Sequence, residues 1–361
     1  MASLLKLNSA CPPNYTISMS QPNNHKEVTI LRYTLKLALG SFLCMLPCAA
    51  LATTWDEPWH ERVVKEADSF VKVEVVKNEN GKQLALKALK QLAGASVPTE
   101  FTVDRFWLLQ LTSASGGHGP EFRLAPGATC YMFVKKNSTG GNWALPTPTA
   151  GYAKVEGETI VATYRHSYHM ALVNQTLYEP TMTAIFQFLH SQPYDIQFIG
   201  QLFKQQLTGP PQNITDDVKS EQSQRFFAQH VALECFYYFG TEKDYDLLEP
   251  FLRQDGYHVQ ISAIRALSAV KTEKAVQRLV EFIRGKGNSF AKVMAVWGIR
   301  RLNAKDRLPA LLEYVSKAPD EEAGFGGSIM DPRVGTHFPS SVKAAVEELA
   351  GEWKSSKEKT K

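Results

Sequence analysis

A pattern that returns about every 31 residues between Ser223 and Lys317 constrains this chain more than any other feature. It is clearest at three turns: Gly240-Thr241-Glu242-Lys243, Lys271-Thr272-Glu273-Lys274 and Leu302-Asn303-Ala304-Lys305. Apolar positions recur in register around them. Ala263, Ile264, Ala266 and Leu267 precede one turn, and Ala295, Val296, Ile299 and Leu302 lead into the next. Leu248, Phe251 and Leu252 follow the first turn; Leu279, Phe282 and Ile283 follow the second. Leu311, Tyr314 and Val315 follow the third with one residue inserted. Each set has the i, i+3, i+4 spacing of one helix face. A short helical hairpin with one apolar face cannot bury it alone, so neighbouring hairpins are expected to stack around a shared interior.

Small residues on the first helix, a polar turn and a Leu-x-x-Phe-Ile second helix, as in Ala263–Ile283, resemble HEAT repeats of the short bacterial kind. The resemblance covers a quarter to a third of the chain. It implies an α-solenoid that presents a binding face, although such a fold does not by itself fix a function.

The 361 residues make two domains the natural expectation. The formal net charge is +4. Lys6, Lys26, Arg32 and Lys36 against Glu27 place about +3 of it in residues 1–52, which leaves the remainder near +1. That balance gives no support for nucleic-acid binding, which needs a concentrated basic face.

Residues 1–52 read as a signal peptide with a long n-region. Arg32 and Lys36 precede an apolar run from Leu37 to Ala52, interrupted by Pro47 and ending in Ala50-Leu51-Ala52, an A-x-A cleavage pattern. The run is short for a bilayer-spanning helix, which needs about 20 residues. A start at Met19 would give a more usual leader. Leu46-Pro47-Cys48 resembles a lipoprotein attachment box but carries Pro47 where that pattern wants a small residue. The expected location is periplasmic or secreted, with no membrane span after cleavage. Cys130 and Cys235 are the cysteines beyond the leader. An oxidising compartment permits a bridge between them, but their apolar runs favour two buried thiols.

Residues 53–175 change character. Phe70–Val76 alternates, Asn78–Gly81 makes a turn, and Leu84–Leu92, Phe101–Val103, Phe106–Leu111, Tyr131–Val134, the stretch around Trp143 and Thr159–Tyr164 follow as short strands. Gly and Pro punctuate the gaps, which argues a small antiparallel β-barrel or sandwich. The order Ala67–Val71, Lys90-Gln91-Leu92, Leu124–Gly127 and Tyr131–Phe133 is similar to the OB-like barrel of netrin and metalloproteinase-inhibitor modules. Those inhibitors resemble one another in an N-terminal cysteine that reaches the target metal. No cysteine lies near Thr53, so the resemblance does not imply that activity here.

The fold class expected is α+β in two parts, the barrel or sandwich at 53–175 and a HEAT-like α-solenoid at 223–318. Docking helices and a linker occupy 176–222, with Met182, Ile185, Phe186 and Leu189 on one face. A Gly-rich loop, a capping helix and a basic tail complete 319–361.

The densest polar-aromatic cluster is Tyr164–His169. His166 and His169 would share a face on a helix and could share a metal. On a strand continuing from Ile160 they would point to opposite faces. The plainer reading is that Tyr164–His169 is a loop packed on the barrel and that Pro146–Tyr152 closes one barrel end; the functional alternative makes Arg165, His166, Tyr168 and His169, with Trp143 and Tyr152 beside the stiff Pro146-Thr147-Pro148 segment, a candidate ligand or partner surface. Ser113–Gly119 lacks the Gly-Lys-Ser/Thr end of a phosphate loop and the Gly-x-Ser-x-Gly elbow of a hydrolase, so it reads as a hairpin tip. Gly324–Ser328 reads as a loop. No catalytic set and no cofactor site emerges. The expectation is an exported, non-catalytic interaction or scaffold protein whose partner is another envelope or extracellular protein. The alternative is an exported metal-binding protein or enzyme using His166 and His169, with His118 as a further ligand.

Overall fold

In the computed structural model the residues described run from 55 to 358, apart from 57, 80–81, 105–108, 113–117, 123, 138–139, 148–149, 167–168, 325–333 and 336–337. The leader, the Ser113–Gly117 loop tip, Tyr168 and most of the Gly-rich loop therefore lie outside them. Residues 55–361 form one compact unit.

The fold is α+β: a closed barrel with extra strands, then a helical half. The long strand β2 (Ser69–Glu79) pairs antiparallel with β3 (Gln83–Gly94) on one side and with β7 (Thr129–Lys136) on the other. β3 pairs with β4 (Glu100–Asp104), which lies parallel to the short β8 (Trp143–Ala144). β8 returns to β7 and closes the ring of five strands. Register shifts between Phe70 and Val71, Lys72 and Val73, and Val75 and Lys77 bend β2 around the ring. Preceding the barrel are β1 (Trp55–Asp56) and helix α1 (His60–Glu66), and β5 (Leu109–Thr112) pairs with β6 (His118–Phe122) as a separate hairpin.

Period-two alternation gives β2 and β7 two buried faces. Val71, Val73 and Val75 with Cys130, Met132 and Val134 point into the barrel beside Trp143, Leu84 and Phe101. Phe70, Tyr131 and Phe133 point the other way, into the larger core shared with the helices. Phe70 and Phe133 stack with centroids 4.4 Å apart. Two-sided burial is why Tyr131–Val134 is a continuous apolar run and not an alternating one.

Strands β9 (Tyr152–Glu156), β10 (Thr159–Thr163) and β11 (Met170–Asn174) extend the sheet outward from β7. β11 runs straight into α2 (Gln175–Leu189), where the Asn174 side chain accepts a hydrogen bond from the Leu177 amide at 2.9 Å and caps the first turn. Tyr178, Met182, Ile185 and Phe186 of α2 bury onto the outer face of the barrel strands. Next comes α3 (Ile196–Leu207), capped by Asp195.

The remaining helices are α4 (Glu221–Phe239), α5 (Tyr245–Leu252), α6 (Tyr257–Leu267), α7 (Glu273–Arg284), α8 (Ser289–Arg301), α9 (Leu308–Lys317) and α10 (Val342–Glu358). α4, α6, α8 and α10 pack side by side in that order. α5, α7 and α9 form a second layer, each lying against the first-layer helix that follows it. The three repeated turns have one job in different chemistry. Thr241 and Asp244 make a capping box before α5, Thr272 caps α7, and Asn303 takes the left-handed φ of 53° before α9. Val342, Ala345, Val346, Leu349 and Trp353 close the end of the stack. Among the described residues no helix is long and apolar enough to cross a membrane.

Candidate functional site

Tyr164, Arg165, His166 and His169, the described residues of that stretch, belong to no helix or named strand; they lie between β10 and β11, against α1 and the first-layer helices. The His60 amide donates to the Arg165 carbonyl at 2.8 Å, Trp59 forms a bridge with His166, and the His169 amide donates back to the His166 carbonyl at 2.8 Å. This places the Arg165 side chain beside Glu234 of α4, Nη1 to Oε1 at 3.7 Å. Glu234, with no exposed surface, also accepts from Arg265 Nε at 2.7 Å and from Ser262 Oγ at 2.9 Å, both on α6. His230, one turn before Glu234, lies 2.9 Å through Nδ1 from the same Ser262 hydroxyl.

Aromatic rings surround the charges. The Arg265 guanidinium sits over Tyr237 at 4.1 Å and Trp59 at 5.4 Å. Tyr237 donates to Glu61 at 3.0 Å and carries Arg301 on its ring at 3.7 Å. Trp59 meets His166 edge-on at 5.2 Å and Trp297 of α8 at the same distance. His169 packs elsewhere, with its ring 4.5 Å from His230 and 5.1 Å from His258.

Two guanidiniums thus face one carboxylate in a buried site, and the nearby imidazoles respond. Burial, then Arg165, holds His169 and His230 well below the usual imidazole range. The same two causes put His258 at about 4, and burial followed by Arg265 puts His60 at about 3. Burial alone would weaken the hold of Arg265 on its proton, but Glu234, Tyr237 and Tyr238 outweigh it and keep the guanidinium more firmly protonated than usual. His169 keeps some exposure as a residue, yet its Nδ1 is buried. That atom and His230 Nε2 have no hydrogen-bond partner among the described residues. A small recess with room for about one water molecule lies beside His230 and His258. Among the described residues no group of three or more His, Cys, Asp or Glu side chains is arranged to hold a metal ion.

Of the residues singled out from sequence, Arg165, His166 and His169 come together here, although His166 and His169 turn to different partners. Arg165 and His166 are buried and offer no open surface. Trp143 is inside the barrel against Phe101, and Tyr152 packs at the barrel's edge. Cys130 and Cys235 are free thiols in different cores. The helical contributors, His230 and Glu234 on α4 and His258, Ser262 and Arg265 on α6, were not anticipated. Their signal is the spacing: i, i+4 on one helix and i, i+4, i+7 on the next, polar groups on otherwise apolar faces. No family model matches this chain, and neither a curated protein nor a solved structure is significantly similar to it.

Proposed function

We propose that this chain is an exported, non-catalytic interaction protein of the bacterial envelope, in which an OB-like barrel and a HEAT-like stack act as one presenting body. The observation that carries this is the buried tie between the halves: Glu234 of the helices held by Arg165 of the sheet, within a core that α1, α2 and the barrel strands share. A body fixed in this way loses little conformational entropy when a partner docks, which favours recognition over a broad surface. The two-layer order of α4 to α10 supports the HEAT-like reading, and the five-strand ring closed by a parallel pair supports the OB-like one.

The experiment is site-specific photo-cross-linking of the full chain in its cells, with the reactive side chain placed in turn at Val76, Leu89, Phe188, Ile196 and Leu312. These are the large exposed apolar residues of the barrel, of α2 and α3, and of the second helical layer. The expected result is one envelope protein captured from neighbouring positions and not from the others. Capture from no position, or a chain retained in the cytosol, refutes the reading.

A further inference from the structure

Three imidazoles meet where the two halves join, and each comes from a different segment. His169 belongs to the connection between β10 and β11, His230 to α4 and His258 to α6. The His169 ring lies 4.5 Å from that of His230 and 5.1 Å from that of His258. The sheet thus touches two neighbouring first-layer helices through rings of the type that gains charge in mild acid. The titratable and polar groups facing these rings are Tyr164, Arg165 and His166 on the same connection, Glu234 on α4, and Ser262 and Arg265 on α6. Glu234, the carboxylate of that set, is already taken, accepting from Arg265 Nε at 2.7 Å and from Ser262 Oγ at 2.9 Å. A proton arriving on His169 or His230 would therefore enter a buried site beside two further rings.

The layout of the sheet lets this contact open by itself. β11 is the last strand of its sheet and pairs with β10, so both lie outside the closed ring of five strands. Their connection can lift without breaking the barrel. On the other side α4 and α6 stay packed on each other, α4 on α3 and α6 on α5. Once lifted, the three rings meet water and return to an ordinary value of about 6.5. In the closed junction burial, and then Arg165, keeps His169 and His230 well below that value and His258 at about 4. The sign follows from this difference. Neutral rings favour the closed junction above about pH 6.5, and that preference is lost as pH falls. Each proton taken up on opening raises the opening equilibrium about tenfold per pH unit, so three raise it about a thousandfold.

We propose that this ring cluster is an acid-released latch: in mild acid the connection carrying His169 lifts reversibly from α4 and α6, while the barrel and the helical stack stay folded. The latch does not depend on export or on a partner. It is a local event, distinct from unfolding of the whole chain, and its steepness comes from three rings sharing one contact.

The test is hydrogen exchange of the full chain, read by mass spectrometry from about pH 7 to about pH 4.5 and corrected for the intrinsic pH dependence of exchange. Peptides spanning β10 and β11 and the middle of α4 should lose protection with a slope of about two to three protons, while β2, β7 and α7 to α9 keep theirs. His169→Asn and His230→Asn carry amides that do not titrate, and each should lower that slope by about one proton. Protection lost everywhere together, a junction as protected in acid as at neutral pH, or a slope of about one proton or less would each overturn the proposal. So would a slope that neither substitution changes. The wild-type profile decides the matter even if a variant fails to fold.

Discussion

Glu234→Gln isolates the contribution of the buried ion network. The substitution keeps the size of the side chain and leaves an acceptor for Ser262, so the loss is that of one charge. Arg265 and Arg165, 7% and 3% exposed, would then lose the one carboxylate that faces both of them among the described residues. Removing one partner of a buried pair typically costs about 3–5 kcal/mol, because the remaining charge is left uncompensated. Here the lower half of that range is expected, since Tyr237 and Trp59 still face the Arg265 guanidinium. At about 2 °C per kcal/mol for a large folded unit, the full range corresponds to a fall in Tm of about 6–10 °C. Urea unfolding followed by far-UV dichroism is the assay, and the shared core predicts a single transition.

The informative control is the triple variant Glu234→Leu, Arg165→Met, Arg265→Met. Replacing a buried ion set by apolar groups of similar volume is often neutral or stabilising, so the triple variant should recover most of the loss. The deficit of Glu234→Gln should also persist in about 1 M salt, where exposed pairs are screened and buried ones are not. A single variant within about 0.5 kcal/mol of wild type, or a triple variant as weak as the single, would refute the claim that this network ties the halves together.

Acid should loosen the same region. His60, His169, His230 and His258 are held neutral in the fold, so on unfolding below about pH 6.5 each takes up a proton. Their contribution is complete above that value and is lost as pH falls, through about 4 for His258 and about 3 for His60, at up to about 1.4 kcal/mol per pH unit each; a urea midpoint unchanged between about pH 7 and pH 5 contradicts this. Gly94 has φ +78°, and a Cβ there would come within 2.3 Å of the Asp68 carbonyl oxygen and 2.7 Å of Phe186. Gly94→Ala should therefore cost about 2–4 kcal/mol, whereas Gly127→Ala, at φ +82° with open space around it, should cost about 1–2 kcal/mol in urea unfolding. Burial raises the thiols of Cys130 and Cys235 far from ionisation, so neither should react with a disulfide reagent until the chain is denatured; rapid native labelling of either would count against the packing. A fragment of residues 55–175 should bind a hydrophobic dye and aggregate, because Phe70 and Tyr131 lose the cover of Tyr178 and α2. A fragment that melts cooperatively without dye binding would show that the barrel stands alone.

Local chemistry explains which parts of the fold could be read from the sequence. The helical hairpins were legible because both of their signals are short-ranged: apolar residues three and four apart, and turn residues such as Thr272 and Asn303 that suit a cap or a left-handed φ. The barrel strands were legible where one face is polar, as in Val71-Lys72-Val73-Glu74-Val75. Tyr131–Val134 reads as strand and is one, but its continuous apolar run does not say what covers its second face. The helical layer on the far side of β7 does, and no residue near Tyr131 encodes that layer. At Tyr164–His169 the sequence leaves a packed loop and a continued strand both open. Strand β10 ends at Thr163, and the backbone of Arg165 and His166 pairs with His60 and Trp59, partners about a hundred residues earlier that no local pattern announces.

The candidate site adds a different lesson, which comes from the repeat itself. Stacking first-layer helices side by side sets equivalent positions of successive repeats against each other. Glu234 and Arg265 are 31 residues apart, the same interval that separates the repeated turns, and they meet at 2.7 Å. A carboxylate and a guanidinium one period apart, on otherwise apolar helix faces, are therefore a contact that a sequence can announce before any coordinates exist. His230 and Ser262, 32 residues apart, obey nearly the same relation. Arg165 does not. It reaches Glu234 across 69 residues from a turn in the sheet, and only the long-range register of β10, β11 and α2 puts it there. The repeat thus dictates the pair on the helices, and the sheet adds a second cation facing the same carboxylate. The neutral state of His169 and His230, set first by burial and then by Arg165, belongs to the junction of the two halves and to neither half alone.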